Sequence, residues 1–207
     1  GLGLFYGLCF VLMGWSLLKA FEQAPAYVLG LSGGFLLTGP ALCLGMYRTS
    51  QRLENGEPVD WGDSLLAWQT RTGQLAIFGF VLLVLEMLWG RAALVVFAVS
   101  FDGMPDFKGS LLALLDPENL GFIVAYLAVG GVFAGLIFAI SVVAMPLILD
   151  RPVDAITAGL TSLRLVLTQP GVMLLWGALI TVLVVVAMLP WFAGLLVIGP
   201  VLGHASW

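Results

Sequence analysis

Apolar positions run along this chain in six long blocks separated by short polar breaks, and inside each block they occupy every face rather than alternating. The blocks are Leu2–Leu18, Tyr27–Met46, Leu75–Phe101, Leu120–Ile148, Val172–Leu189 and Pro190–Trp207. A helix needs about 20 apolar residues to cross a bilayer, whereas a barrel strand alternates apolar and polar residues over about 10 positions. The pattern therefore predicts an all-α, polytopic membrane bundle of six helices in three hairpins, with residues 1–207 forming a single integral membrane domain. The third block is about 40 Å long at 1.5 Å per residue, more than a hydrocarbon core, so it tilts, projects beyond the membrane or breaks at Gly90.

The polar breaks carry a second pattern. Pro58-Val59-Asp60 recurs as Pro152-Val153-Asp154, each followed by an amphipathic stretch and then a span. Aspartate is a natural helix N-cap, so helices are expected over 60–70 and 154–168. Leu65, Leu66 and Trp68 form the apolar side of the first, and Ile156, Leu160 and Leu163 that of the second, as in helices that lie in the headgroup plane. A short helix is also expected at Leu111–Leu115. A further echo joins Gly39-Pro40-Ala41-Leu42 to Gly199-Pro200-Val201-Leu202, and Pro146 is placed similarly in span four. Pro40, Pro146 and Pro200 are thus candidate kinks, each late in the second helix of a hairpin.

Composition removes any soluble reading: 61% of residues are hydrophobic and 10% charged, against roughly a quarter charged in a soluble domain. The few cations set an orientation, because Lys and Arg in short loops stay cytoplasmic. Arg48, Arg52 and Arg71 follow span two, and Arg151 and Arg164 follow span four, whereas the opposite connections hold Lys19 and Lys108. Both termini are expected on the cytoplasmic side of an inner membrane. A chain that opens at Gly1 inside an apolar run is expected to lack its natural N-terminus.

Candidate chemistry is sparse. Glu86 and Arg91 are charges well inside an apolar run, and intramembrane charges are functional candidates because they are costly to bury. A structural pairing of Glu86 with Arg91 or with a polar group of a neighbouring helix, an ion or proton site at Glu86, and a contact with a partner subunit are the alternatives. The 26 glycines include small-xxx-small pairs at Gly3/Gly7, Gly30/Gly34, Gly131/Gly135 and Gly199/Gly203, which allow backbones to approach closely within the bundle or against another membrane subunit. Trp61 and Trp68, with Trp89, Trp191 and Trp207, lie near span ends as interfacial anchors and candidate contacts. Cys9 and Cys43 lack metal-motif spacing, and His204 has no ligand neighbour in sequence, so neither a metal nor a cofactor is expected. No catalytic triad order, phosphate loop or dinucleotide fingerprint is present, and an enzyme is not expected. A net charge of −4 without a basic patch excludes nucleic-acid binding.

From Val142 to Trp207, the segment "AMPLILDRPVDAITAGLTSLRLVLTQPGVMLLWGALI" and the ending "PVLGHASW" resemble the bacterial integral membrane family called domain of unknown function 2189. The resemblance covers most of the chain and is strongest in this last third. It implies a multi-pass inner-membrane protein, continuing past Trp207 into a short basic tail, and implies no activity. Two functions are compatible with the sequence. The first is a non-catalytic accessory or assembly subunit of a larger complex, respiratory or photosynthetic in kind. The second is a small transporter or channel-like protein for a lipid-like or small neutral substrate.

Overall fold

The computed structural model describes residues 1–23, 42–100 and 119–207, and the regular structure among them is helical. Gly30, Gly34, Pro40, Lys108 and Leu111–Leu115 lie outside the described residues, as do most of the second expected span and most of the 39–42 echo. Helix α1 is Leu2–Gln23, and α2 is described over 42–54. Helix α3 is Trp61–Leu65, followed by a 3-10 turn at Ala67–Arg71, and α4 is Thr72–Ser100. Then come α5 (Leu120–Ser141), α6 (Ala144–Asp150), α7 (Ala155–Thr168), α8 (Pro170–Met188) and α9 (Leu195–Ala205).

Four described stretches, Leu2–Ala20, Ala67–Ser100, Leu120–Asp150 and Pro170–Met188, are long and apolar enough to cross a membrane. The third expected span runs through Gly90 without a break, 29 residues or about 43 Å. The sixth is shorter than expected, because within Pro190–Trp207 only the 11 residues of α9 are α-helical, about 16 Å and too short to cross alone. Residues 189–194 form a reversal instead, in which Trp191 and Phe192 take left-handed φ of 51° and 65°. That conformation is costly for side chains larger than glycine, and packing holds it. Phe192 lies against Gly14, and a Cβ on Gly194 would meet the Ala187 backbone at 2.6 Å.

Both Pro-Val-Asp aspartates cap their helices. Asp60 Oδ1 accepts from Asp63 N–H at 2.7 Å, and Asp154 Oδ1 from Thr157 N–H at 2.9 Å. The helices they cap are unlike each other. The 60–70 stretch is not one helix: α3 stops after five residues, and the 3-10 turn tucks Ala67 against Leu44, Tyr47 and Leu149. Helix α7 is 14 residues long and has three sides. Ala155, Ala158 and Ser162 are buried against α4, α5 and α6; Ile156, Leu160 and Leu167 form an exposed apolar stripe; Thr157, Thr161 and Arg164 form a polar one.

The fourth span breaks at Val142–Val143, and two residues account for it. Pro146 has no N–H to offer Val142, but it sits in the first turn of α6, where a missing donor costs little. Ser162 of α7 supplies the rest: its hydroxyl accepts from Val143 N–H at 3.2 Å and donates to Ala139 C=O at 2.8 Å. It thus stands in the place of the 143-to-139 helical hydrogen bond, a side chain inserted into the ladder. Burial concentrates at one end of the bundle. Leu2, Tyr6 and Met46 form one cluster there, Leu44, Tyr47, Ala67 and Leu149 a second, and Phe78, Ala144, Ile148, Ala155 and Ala158 a third. Elsewhere large apolar side chains face outward, as a lipid-facing surface requires.

Candidate functional site: an apolar cavity beneath a polar end

The polar end is fastened by Asp63. Arg48 donates to it from Nε at 3.0 Å and Nη2 at 3.3 Å, and Arg52 from Nη1 at 2.6 Å. Arg48 also donates to Gln51 Oε1, and Gln51 donates to Asp150, so α2, α3 and the end of α6 are tied together. Inside this layer the Ser64 hydroxyl donates to Gly45 C=O at 2.8 Å and contacts the hydroxyls of Tyr6 at 2.8 Å and Thr49 at 3.1 Å. The Arg52 hydrogen bond, then that from Arg48, holds the Asp63 carboxyl below its ordinary 3.8. A carboxylate with a lowered folded-state pKa contributes its full stability above the unfolded value and loses it as pH falls through the folded one. Release of α3, followed by fluorescence of Trp61, is therefore expected only below about pH 4. Release between pH 5 and 7 would contradict this pairing.

Three candidate residues meet in the seam between α1 and α9, which pack antiparallel. Pro200 lacks the N–H that would bond the Leu196 carbonyl one turn earlier. That carbonyl faces Gly7, where a Cβ would lie 2.7 Å from its oxygen and 2.8 Å from Leu196 Cα. A Cβ on Gly3 would lie 3.2 Å from the Pro200 ring. The glycines let α1 lie directly on the proline-modified turn, where its Cα–H groups approach the freed carbonyl. At the polar end of α9, His204 Nδ1 and Ser50 Oγ are 2.6 Å apart, and Trp207 Nε1–H donates to Glu54.

Below that end lies a cavity of about 570 Å³ bounded by α1, α2, α8 and α9. Phe10, Leu17, Met46, Val184, Met188 and Leu202 are among its walls, and Tyr47 and Ser206 stand at its polar end. Among the described residues no group of three or more His, Cys, Asp and Glu side chains is arranged to hold a metal ion.

The other half of the bundle pairs α4 with α5 through aromatic rings. Trp89 packs edge-on to Tyr126 at 5.1 Å and lies 6.0 Å from Phe133, filling the space beside Gly130. Glu86 is half-buried within electrostatic reach of Tyr126, while Arg91 is exposed, and no ion pair joins the two. Five residues turn a helix by about 500°, which puts them on different faces. Gly131 and Gly135 are exposed, and no described residue lies within 4 Å of a Cβ placed on either. Trp61 contacts Phe5 edge-on at 5.8 Å, and Trp61 and Trp68 are each about half exposed.

The small-xxx-small pairs thus divide by environment: Gly3 and Gly7 are spent inside the bundle, Gly131 and Gly135 face out. Sequence reasoning missed Tyr6, Ser64 and Ser162. Tyr6 carried a signal, since a phenol inside an apolar run needs a partner for its hydroxyl; Ser162 carried only its place on a face of small residues. No curated protein and no solved structure matches the chain. A family model described as "Predicted integral membrane protein (DUF2189)" matches residues 27–150, overlapping the resembling segment Val142–Trp207 only over its first residues. With the membrane-crossing helices on which that match lies, the chain belongs to the DUF2189 family of predicted integral membrane proteins.

Proposed function

We propose that this chain is a non-catalytic accessory or assembly subunit that packs against a larger inner-membrane complex, with its arginine-bearing end cytoplasmic. The observation that carries the reading is the outward face of α5. Gly121, Val124, Ala128, Gly131 and Gly135 recur at helical spacing along it, exposed, and no described residue covers the glycines. Glycine inside a helix costs about 1 kcal/mol relative to alanine. A face that only meets lipid gains nothing in return, whereas a face that receives another helix gains close backbone packing.

The test is extraction of native membranes in mild detergent, with sizing of the wild-type chain and of Gly131→Leu/Gly135→Leu. The wild type is expected to run with a larger assembly, and the double variant to run free while unfolding at the same temperature or a few degrees higher. A wild-type chain that runs alone would overturn the proposal. A second reading, handling of a lipid-like molecule, is favoured by a different observation, the cavity between α1, α2, α8 and α9.

A further inference from the structure

The cavity has a length, a depth and a polarity. Its longest wall runs along α9 from Leu195 to the capping Ser206, a rise of about 16 Å, and its α1 wall from Phe10 to Leu18, about 12 Å. One end is fixed at the membrane surface by Tyr47 and Trp207, whose rings pack 6.2 Å apart beside the Ser50–His204 and Trp207–Glu54 hydrogen bonds. Paired aromatics with polar tips mark the headgroup level. From that level the cavity reaches inward by about half of a ~30 Å hydrocarbon core, the depth of one leaflet. Among the described lining residues, Tyr47 and Ser206 carry the hydroxyls and Cys43 a thiol, and the inner walls are apolar side chains such as Met188, Phe192 and Leu195. The cavity is partly open at its side, where Met188 is exposed, so it communicates with the surrounding acyl chains, and apolar spaces of ~150 Å³ already take up apolar molecules.

We propose that this cavity holds one acyl chain of a membrane lipid from the leaflet on the arginine-bearing side, its ester end at Tyr47 and Ser206 and its tail running along α9 toward Met188. A chain one leaflet long, apolar throughout and polar only at its surface end, fits the walls in length and in the order of their chemistry. Helices α1 and α8 both pack on α9, and the acyl chain fills the space that α9 leaves between them. This site is independent of the α5 face and stands or falls without it.

The purified full chain, reconstituted in phosphatidylcholine vesicles containing phosphatidylcholine with a mid-chain diazirine, is irradiated and its adducts are mapped by mass spectrometry. Labelling is expected at the buried Met46 and Leu195 and at Phe192, as well as at the lipid-facing Leu127 and Val132. Two substitutions fill the cavity from different walls, Val184→Trp and Gly199→Leu; a Cβ on Gly199 makes an ordinary 3.5 Å contact with Phe10. Either is expected to lower cavity labelling about tenfold relative to Leu127 and Val132, the effect of losing about 1.4 kcal/mol of binding. Unlabelled cavity residues in the wild type, or labelling that persists in both filled variants, would overturn the proposal. So would labelling displaced by cholesterol but not by excess unmodified phosphatidylcholine, which would assign the site to a ring-shaped ligand.

Discussion

Gly7→Leu is expected to separate α1 from α9 and to lower the unfolding temperature in mild detergent by roughly 6–12 °C, the equivalent of about 3 kcal/mol for a chain of this size. The reason is the nature of what the new side chain meets. Its Cβ would lie 2.7 Å from the Leu196 oxygen and 2.8 Å from Leu196 Cα, both backbone atoms that no rotamer change can move. Helix α1 would have to lift, pulling Tyr6 away from Ser64 and opening the cluster of Leu2, Tyr6 and Met46. The control is Gly131→Ala, on an open helix face, where replacing glycine is expected to leave stability unchanged or raise it by up to about 1 kcal/mol. Equal effects at the two positions would show that the seam does not depend on close backbone approach.

That pair of glycines marks how far the sequence could be read. The spans were legible because a bilayer demands length and apolarity, both printed in the residue order. The caps were legible because Asp60 and Asp154 act on amides three residues away. Where the spacing of glycines is the same, only the partner helix decides the role: Gly3 and Gly7 face Pro200 and Leu196, nearly 200 positions away, and Gly131 and Gly135 face outward. Glu86 and Arg91, five residues apart, stand on different helix faces as their spacing suggests, but which polar group of a neighbouring helix lies near Glu86, here Tyr126, is set by the packing of α4 on α5. Helix α3 ends early because Ala67 is drawn beneath Leu44 and Leu149, a tertiary contact that no cap signal predicts. The reversal at Trp191 and Phe192 likewise comes after Pro190, a legible breaker, but its left-handed backbone is held by Gly14 and Ala187. The cavity was illegible for the same reason, since its walls come from four helices.

Ser162→Ala is expected to destabilise the chain by about 1–2 kcal/mol, because it leaves Val143 N–H and Ala139 C=O without the hydroxyl that joins them. The site is fully buried, so water cannot replace the lost partner. Amide exchange at Val143 should quicken in the variant while that of Val142, bonded to Phe138 C=O, changes little. A double-mutant cycle with Pro146→Ala separates the two causes of the break. Restoring an N–H at 146 lets α5 and α6 run on as one helix, so the combined variant should lose less stability than Ser162→Ala alone. Pro146→Ala by itself should keep the break, since the Ser162 hydroxyl still occupies the gap. If Pro146→Ala alone protects the Val143 amide and Ser162→Ala changes nothing, the proline makes the kink and α7 only leans on it. If the coupling is found, α7 holds the fourth span open, and the helix after the second Pro-Val-Asp is a strut for the bundle rather than a float on its surface.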